Sequence, residues 1–219
     1  MPRTPRERAA LPDLASPLLR WYRTAARDLP WRRTRDPYAI WLSEAMLQQT
    51  QVNTVLPYYA RFLDRFPTVR ALADAPLADV LRLWAGLGYY ARARNLHAAA
   101  RQIVARHAGR LPDTVAALRT LPGVGRYTAG AVASIAYGRR APLVDGNVRR
   151  VLSRLFAIRT PAAGIDERLW ILAESLLPPR RCGDFNQRSW SWGRRSARPP
   201  PRWDLCPLGA ALPRATKRA

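Results

Sequence analysis

The stretch LPGVGRYTAGAVASIAYG, residues 121–138, decides the fold, because it joins a glycine-rich turn directly to a helix of small residues. Gly123 and Gly125 flank Val124, and closely spaced glycines let backbone N–H groups turn outward. The N-terminus of the following helix adds partial positive charge, so the turn suits a phosphate. An ordinary helix-turn-helix corner has the same pattern of two glycines, so the pattern leaves both interpretations open.

The net charge of the chain favours the phosphate interpretation. The 219 residues contain 37 Lys and Arg against 15 Asp and Glu, a net charge of +22, and 48% of them are hydrophobic. Such an excess on a globular composition indicates a polyanionic partner, with nucleic acid favoured. Arg126 lies next to the turn. We therefore interpret the turn as a phosphate-binding site.

The apolar pattern predicts an all-α fold. Apolar residues recur at three- and four-residue spacings through most of the chain, which indicates about ten short helices. The segment from Arg188 onward lacks this period and is dense in Arg, Pro, Ser and Trp, so it indicates a loop or tail. No apolar stretch approaches the roughly 20 residues that span a bilayer, and the N-terminus lacks the apolar core of a signal peptide. We expect a cytoplasmic protein, associated with the nucleoid, and no membrane partner.

Two carboxylates are candidates for chemistry. Glu44 lies inside the apolar run of SEAMLQQTQ, residues 43–51, where burial would raise its pKa and make it a general acid. Asp145, in LVDGNVRRVLSRL, begins an amphipathic helix and is either a simple N-cap or a catalytic carboxylate. A protonated carboxyl paired with an ionised one would resemble the division of labour in glycoside hydrolysis.

A third stretch, GLGYYARARNL at residues 86–96, places two tyrosines at a glycine-rich turn beside arginines. Tyr89 and Tyr90 either belong to the core or stack on bases as a wedge in the duplex, and the pattern leaves both open. Together with Gln48, Tyr89 would fill the space left by an extruded base.

Six motifs occur in this order along the chain: LPW, PYAIWLSEAMLQQTQV, GLGYYARARNLH, LPGVGRYTAGA, VDGNVRRVL and FNQ. In these motifs and their order the chain resembles adenine DNA glycosylases of the MutY type, within the helix-hairpin-helix superfamily shared with endonuclease III. The resemblance covers roughly residues 15–187. It implies a helix-hairpin-helix glycosylase fold with two helical lobes and the active site in the cleft between them. It places a six-helix barrel at 27–137 and the second lobe at 1–26 plus 138–219.

The resemblance implies a monofunctional, monomeric enzyme that removes adenine mispaired with 8-oxoguanine or guanine in double-stranded DNA. It implies that Glu44 protonates the adenine, that Asp145 stabilises the cationic sugar across the cleft from it, and that Tyr127 and Asn147 support them. The residues expected to contact DNA are Gln48, Gln49, Thr50, Tyr89, Gly123, Val124, Gly125 and Arg126. Bifunctional relatives such as endonuclease III carry a catalytic lysine where this chain has Tyr127, so strand cleavage through a lysine imine is not expected.

The resemblance also implies a [4Fe-4S] cluster, but the chain departs from the family there. Counting from Cys206, the other three ligand positions are Ser196, Trp203 and Leu212. One thiolate cannot hold a cluster, so 188–219 is a degenerate cluster region and we expect no cluster in the chain as written. Either natural loss or a shifted reading frame across about 188–202 accounts for this. Cys182 lies outside the ligand pattern.

Two alternatives stay open. Close relatives with a tyrosine at the lysine position excise thymine from G/T mismatches, although the surroundings of Glu44 favour adenine, because thymine has no comparably basic ring nitrogen. A protein that binds DNA without catalysis is the other alternative. The family usually continues into a domain that recognises 8-oxoguanine, so discrimination for that partner base is expected to suffer without it.

Overall fold

The structure, a computed structural model, describes residues 28–156, 158 and 164–187. Every regular element within these residues is helical, which confirms the all-α fold class. The helices are α1 (Pro37–Leu47), α2 (Val52–Arg65), α3 (Val69–Asp74), α4 (Leu77–Trp84), α5 (Ala91–His107), α6 (Val115–Leu118), α7 (Arg126–Ile135), α8 (Gly146–Leu155), α9 (Ile165–Ser175) and α10 (182–187), with a 3-10 turn at Pro30–Arg32. None of these described helices is both long enough and apolar enough to cross a membrane.

The chain divides into two compact units. The first is Asp28–Arg139, which contains α1 to α7. The second includes the described residues from Arg140 onward, with α8 to α10. The predicted barrel at 27–137, the second lobe and the cleft between them stay predictions, and the parts of that second lobe at 1–26 and 188–219 lie outside the described residues.

Helix α1 is the central helix of the first unit. The Asp36 side chain caps it by accepting from the backbone N–H groups of Tyr38 and Ala39, and Pro37 occupies the first helical position, where its missing N–H costs nothing. Nearly all its side chains are buried, as expected for a helix that is apolar on every side. Glu44 therefore projects from a helix that the rest of the unit surrounds.

Aromatic packing and a histidine hydrogen bond join other helices of the first unit to one another. Phe62 of α2 meets Phe66 and Trp84 edge to face, with ring centroids 5.1 and 5.9 Å apart. His97 of α5 places its Nε2 2.9 Å from the carbonyl oxygen of Ala75, which fixes the end of α3 against α5. These contacts join α2 to α4 and α3 to α5 within the unit that carries the loops of the candidate site.

The second unit has its own small core. Val148 and Leu152 of α8 cluster with Leu169 of α9. The buried Asn186 side chain donates to the carbonyl oxygen of Ala141 at 2.8 Å, which ties α10 to the segment before α8. This core supports the helix that begins at Asp145.

Candidate DNA-binding and catalytic site

Glu44 lies near the C-terminal end of α1. Its side chain is half-buried, between the buried residues Ser43 and Ala45. Gln48 follows four residues later, one helical turn on and on the same side of the helix. The Nε2 of Gln48 donates to the Thr128 hydroxyl of α7 at 3.4 Å. The end of α1 therefore brings Glu44 and Gln48 to the side of the first unit that carries the glycine hairpin.

The turn after α1 has an unusual backbone. Gln49 is exposed and has a φ of +57°, a left-handed conformation that is uncommon for a residue other than glycine. The backbone N–H of Thr50 donates to Leu47 at 3.3 Å, and its hydroxyl donates to the Gln48 carbonyl oxygen at 3.4 Å. These bonds present Gln49 to solvent at the tip of the turn.

The two hairpin glycines serve different purposes. Gly123 has a φ of +74°, and a Cβ built there would lie 2.7 Å from the Cβ of Asn95, so the fold itself requires glycine. Gly125 occupies the N-cap of α7 with an extended backbone, and a Cβ there would meet nothing within 4 Å. Nothing in the fold requires glycine at position 125, which leaves room for a phosphate at the N-terminus of the helix.

The remaining hairpin residues are divided between core and surface. The Val124 side chain is only 6% exposed, so a contact from Val124 to DNA would come from its backbone. Arg126 and Tyr127 are half-buried in the first turn of α7. Tyr127 directly precedes Thr128, whose hydroxyl accepts a hydrogen bond from Gln48.

Tyr89 is not a core residue. Gly86 and Gly88 have φ values of +91° and +76°, and Tyr89 itself has a φ of +50°. The Tyr89 side chain is 61% exposed. The carbonyl oxygen of Gly88 accepts a hydrogen bond from Trp84 Nε1 at 3.0 Å, which fixes the loop that exposes the tyrosine to solvent. Of the two interpretations of this stretch, exposure favours the wedge at Tyr89.

Asp145 is the N-cap of α8. Its Oδ1 accepts from the backbone N–H of Val148 at 2.7 Å, and its Oδ2 accepts from Nδ2 of Asn147 at 2.7 Å. The Oδ1 of Asn147 in turn accepts from Arg150, which decides the orientation of the Asn147 amide. The three side chains form a chain of hydrogen bonds that ends on the carboxylate.

The environment of Asp145 opposes its charge. Burial raises the pKa of its carboxyl above the ordinary value, while the hydrogen bonds from Val148 and Asn147 and the charge of Arg150 lower it, and burial is the larger effect. A half-screened carboxylate of this kind interacts strongly with a cation placed next to it, because little water competes. The cap and a catalytic role are therefore compatible.

Two arginines that bond residues of the candidate site were not predicted from the sequence. Arg150 lies three residues after Asn147 on one helix face, so the helical spacing contained a local indication of their contact. Arg92 donates to carbonyl oxygens 44 and 47 residues earlier in the chain, and no local pattern indicates such a contact.

The predicted metal position lies outside the described residues, as do Cys206 and the three positions aligned with it. Within the described part of the chain no group of three or more His, Cys, Asp or Glu residues could hold a metal ion. Cys182 is buried and its thiol donates to the carbonyl oxygen of Pro178 at 3.0 Å. A donor set with one thiolate does not fit a [4Fe-4S] cluster.

The family with the description "HhH-GPD superfamily base excision DNA repair protein" matches residues 42–174, from α1 to α9. The chain belongs to this superfamily. The matched range includes Glu44, the glycine hairpin and Asp145. That Glu44 and Asp145 face a common cleft, and that the residues named above perform the roles assigned to them, stay predictions.

Individual members of the HhH-GPD superfamily are similar over most of the chain. Adenine DNA glycosylase of Homo sapiens is 47% identical over 213 residues, 92% of this chain, and the chain spans 39% of the human protein's length. A thermostable thymine-DNA glycosylase superposes with a TM-score of 0.85 and 29% identity over 98% of both chains. Endonuclease III in a non-covalent DNA complex superposes with a TM-score of 0.77 and 25% identity, over 93% of this chain and 94% of its own.

Proposed function

We propose that the chain is a monofunctional DNA glycosylase that hydrolyses the N-glycosidic bond of adenine mispaired with 8-oxoguanine or guanine in double-stranded DNA. The observation that carries the proposal is the half-buried Glu44 one helical turn before Gln48, at the end of a core helix. The 47% identity to the human adenine DNA glycosylase across 92% of the chain supports it.

The proposed reaction divides the work between two carboxyl groups. Adenine leaves poorly unless its ring is protonated, so Glu44 delivers a proton as the glycosidic bond breaks and the bonding electrons leave with the base. General acid catalysis of this kind typically contributes about 10² to 10⁴ in rate. Ionised Asp145 stabilises the cationic sugar that remains. Water then adds to the sugar carbon and passes a proton to a carboxylate.

The other residues bind and orient. In this proposal the backbone of the hairpin at Gly123 and Gly125 holds a phosphate, and Tyr89 and Gln48 enter the base stack beside the extruded adenine. Asn147 holds the Asp145 carboxylate through its 2.7 Å hydrogen bond. Each of these proposed roles depends on residues that lie within a single structural unit.

We also propose that the chain as written works without an iron–sulfur cluster, so no step of the reaction depends on one. The net charge of +22 supports a monomer that binds nucleoid DNA in the cytoplasm, because a large excess of one charge keeps copies apart and draws them to a polyanion.

A thymine glycosylase acting on G/T mismatches is the second candidate. The structural match to a thymine-DNA glycosylase, over 98% of both chains, favours it. The two candidates differ in the base that is released. Thymine lacks a ring nitrogen as basic as those of adenine, so a general acid at Glu44 would contribute less to its departure.

The test is base release from three duplexes, with adenine opposite 8-oxoguanine, adenine opposite guanine, and thymine opposite guanine. We expect adenine release from the first two. Glu44→Gln keeps the size of the side chain but cannot donate a proton, so it should abolish release while affinity for the mispaired duplex stays within about threefold. Glu174→Gln, at an exposed position of α9, is the matched control and should leave release unchanged.

Three results would contradict the proposal. Thymine release alone would establish the second candidate. A folded protein that binds all three duplexes and releases no base would be a DNA-binding remnant. Near-normal adenine release by Glu44→Gln would place the acid elsewhere.

A further inference from the structure

The described first unit has three residues other than glycine with left-handed backbones. One, Ala108, ends α5, and the other two lie in loops. Gln49 has a φ of +57° and Tyr89 a φ of +50°. A bulky residue rarely adopts this conformation, which persists only where surrounding contacts enforce it and which concentrates at functional positions. Both side chains are exposed, so burial of the side chain does not hold either backbone in place.

One side chain, Arg92, bonds the carbonyl oxygen immediately before each of these residues. Its Nη1 donates to the carbonyl of Gln48 at 2.5 Å, and its Nη2 donates to the carbonyl of Gly88 at 3.1 Å. These two loops are 40 residues apart in sequence. The guanidinium group of Arg92 is therefore the physical link between the turn at Gln49 and the loop at Tyr89.

The same guanidinium also secures the end of α1. Its Nη1 donates to the carbonyl oxygens of Ala45 and Met46 at 3.2 and 2.6 Å, in the last turn of the helix that carries Glu44. Carbonyls in that last turn have no partner within the helix, and a cation is favourable there because of the helix dipole. Arg92 thus holds the backbone from Ala45 to Gln48.

The remaining contacts of Arg92 complete its enclosure. Its Nη2 also donates to the Thr50 hydroxyl at 3.0 Å and to the Leu87 carbonyl oxygen at 3.2 Å. Its guanidinium carbon lies 5.4 Å from the ring centroid of Trp84 and 5.3 Å from that of Tyr89. All these bonds come from the two Nη nitrogens, because the buried Nε has no hydrogen-bond partner among the described residues. Two Nη nitrogens with four N–H groups serve acceptors in several directions, and the planar group stacks on aromatic faces, whereas a lysine ammonium has three donors at one point.

We infer that Arg92 is a positioning residue that presents Tyr89 and the Gln48–Thr50 turn to DNA as one preformed unit, so that both enter the base stack together. This inference rests on the proposed function, in which those residues occupy the space left by an extruded base. Arg92 itself is half-buried beneath the loops and acts through them. Its loss is therefore expected to impair recognition of a mispair rather than attraction to DNA in general.

The test compares affinity for two duplexes that differ at one pair. One is fully matched, and the other carries 2′-fluoroadenosine opposite 8-oxoguanine, which resists hydrolysis because the fluorine disfavours a cationic sugar. The measured quantity is the ratio of the two dissociation constants. A second readout is the emission of 2-aminopurine placed beside the mispair, which rises when the bases unstack.

We expect Arg92→Met to reduce the affinity ratio about tenfold and to suppress the 2-aminopurine rise, while matched-duplex affinity changes by only about twofold. Arg101→Met is the charge control, because Arg101 is exposed on the same helix about 13 Å further along it. It should weaken both duplexes equally and leave the ratio unchanged. Arg92→Lys keeps the charge but not the planar guanidinium, so it should also lose most of the affinity ratio. If thermal melting shows that Arg92→Met is unfolded, Arg92→Lys replaces it in every comparison.

Coupling to Tyr89 separates positioning from a direct charge effect. Tyr89→Ala alone should reduce the ratio, and adding Arg92→Met should then cost much less than it does in the wild type, because residues that act as a unit are not additive. Full additivity would overturn the inference, as would an Arg92→Met variant that behaves like Arg101→Met. If the wild type releases no base, the proposed function fails, and the 2-aminopurine rise with its loss in Arg92→Met still decides this inference.

Discussion

Asp145 combines a structural and a proposed chemical task in one side chain. One carboxylate oxygen caps α8, and the other binds Asn147, whose orientation depends on Arg150. Burial disfavours the ionised form that the proposed reaction requires. An ionised Asp145 therefore lowers the folding stability of the protein, because the charge lies in a poorly solvated environment. Charges of this kind are typical of functional sites.

The pH dependence of stability tests this compromise. The folded-state pKa of Asp145 is raised above 3.8, the ordinary value for an aspartate. The stability that the protonated carboxyl contributes is therefore fully present below pH 3.8 and is lost as the pH rises through the folded-state pKa. Asp145→Asn does not titrate. The melting temperature of the variant minus that of the wild type should therefore increase as pH rises from below 3.8 and then level off. Thermal unfolding across that range measures it.

The informative quantity is the slope of this melting-temperature difference against pH. Asparagine presents an NH₂ group toward the NH₂ of Asn147, and this mismatch adds an offset of the same size at every pH. Asp166→Asn removes a carboxylate whose partner Arg149 lies at the surface, and serves as the control. A difference that falls with rising pH would mean that Asp145 is stabilised as an anion, contrary to its burial.

At the scale of elements, the helix-hairpin-helix contains two glycines with separable requirements. Gly123→Ala forces a Cβ into a left-handed backbone and to within 2.7 Å of Asn95 Cβ, so we expect a loss of about 1–3 kcal/mol in unfolding free energy. Gly125→Ala adds a methyl group to open space and should keep the melting temperature. It should nevertheless weaken binding to any duplex about tenfold, since the methyl occupies the proposed phosphate position and removes a charge-assisted hydrogen bond.

Each variant controls for the other. Denaturant unfolding and duplex affinity are measured on both, with matched DNA so that base identity plays no part. Unchanged affinity in Gly125→Ala would show that the phosphate does not approach this position. Unchanged stability in Gly123→Ala would show that Asn95 and the turn adjust to the methyl group.

The sequence predicts elements better than it predicts contacts between them. Apolar spacing predicted the all-α fold, and the N-cap position of Asp145 was one of the two alternatives for that residue. The pattern at Tyr89 was ambiguous because periodicity does not report backbone φ, and the left-handed loop is what exposes the ring. Arg92 was missed because its acceptors on α1 lie more than 40 residues away, and only the packing of α5 against α1 brings them together.

At the scale of the whole molecule, the cation content is almost entirely arginine. Lys217 is the only lysine among 219 residues. Arginine remains protonated and cannot form an imine, so it supports DNA binding without supplying an amine nucleophile. The chain can thus carry a net charge of +22 and still leave a baseless sugar uncleaved.

This composition predicts that base release is not followed by strand cleavage. With a duplex that contains an abasic site, borohydride reduction should trap no covalent adduct at the hairpin, and strands should break only after alkali. Tyr127→Lys places an amine in the first turn of α7, at the position where the family resemblance implies a catalytic lysine in bifunctional members, and should gain a trapped adduct. Tyr127→Phe is its control. Because Lys217 and the terminal amine are the other amines in the chain, any wild-type adduct must map to one of them. An adduct that persists in Lys217→Arg with a blocked N-terminus would mean that a different nucleophile acts.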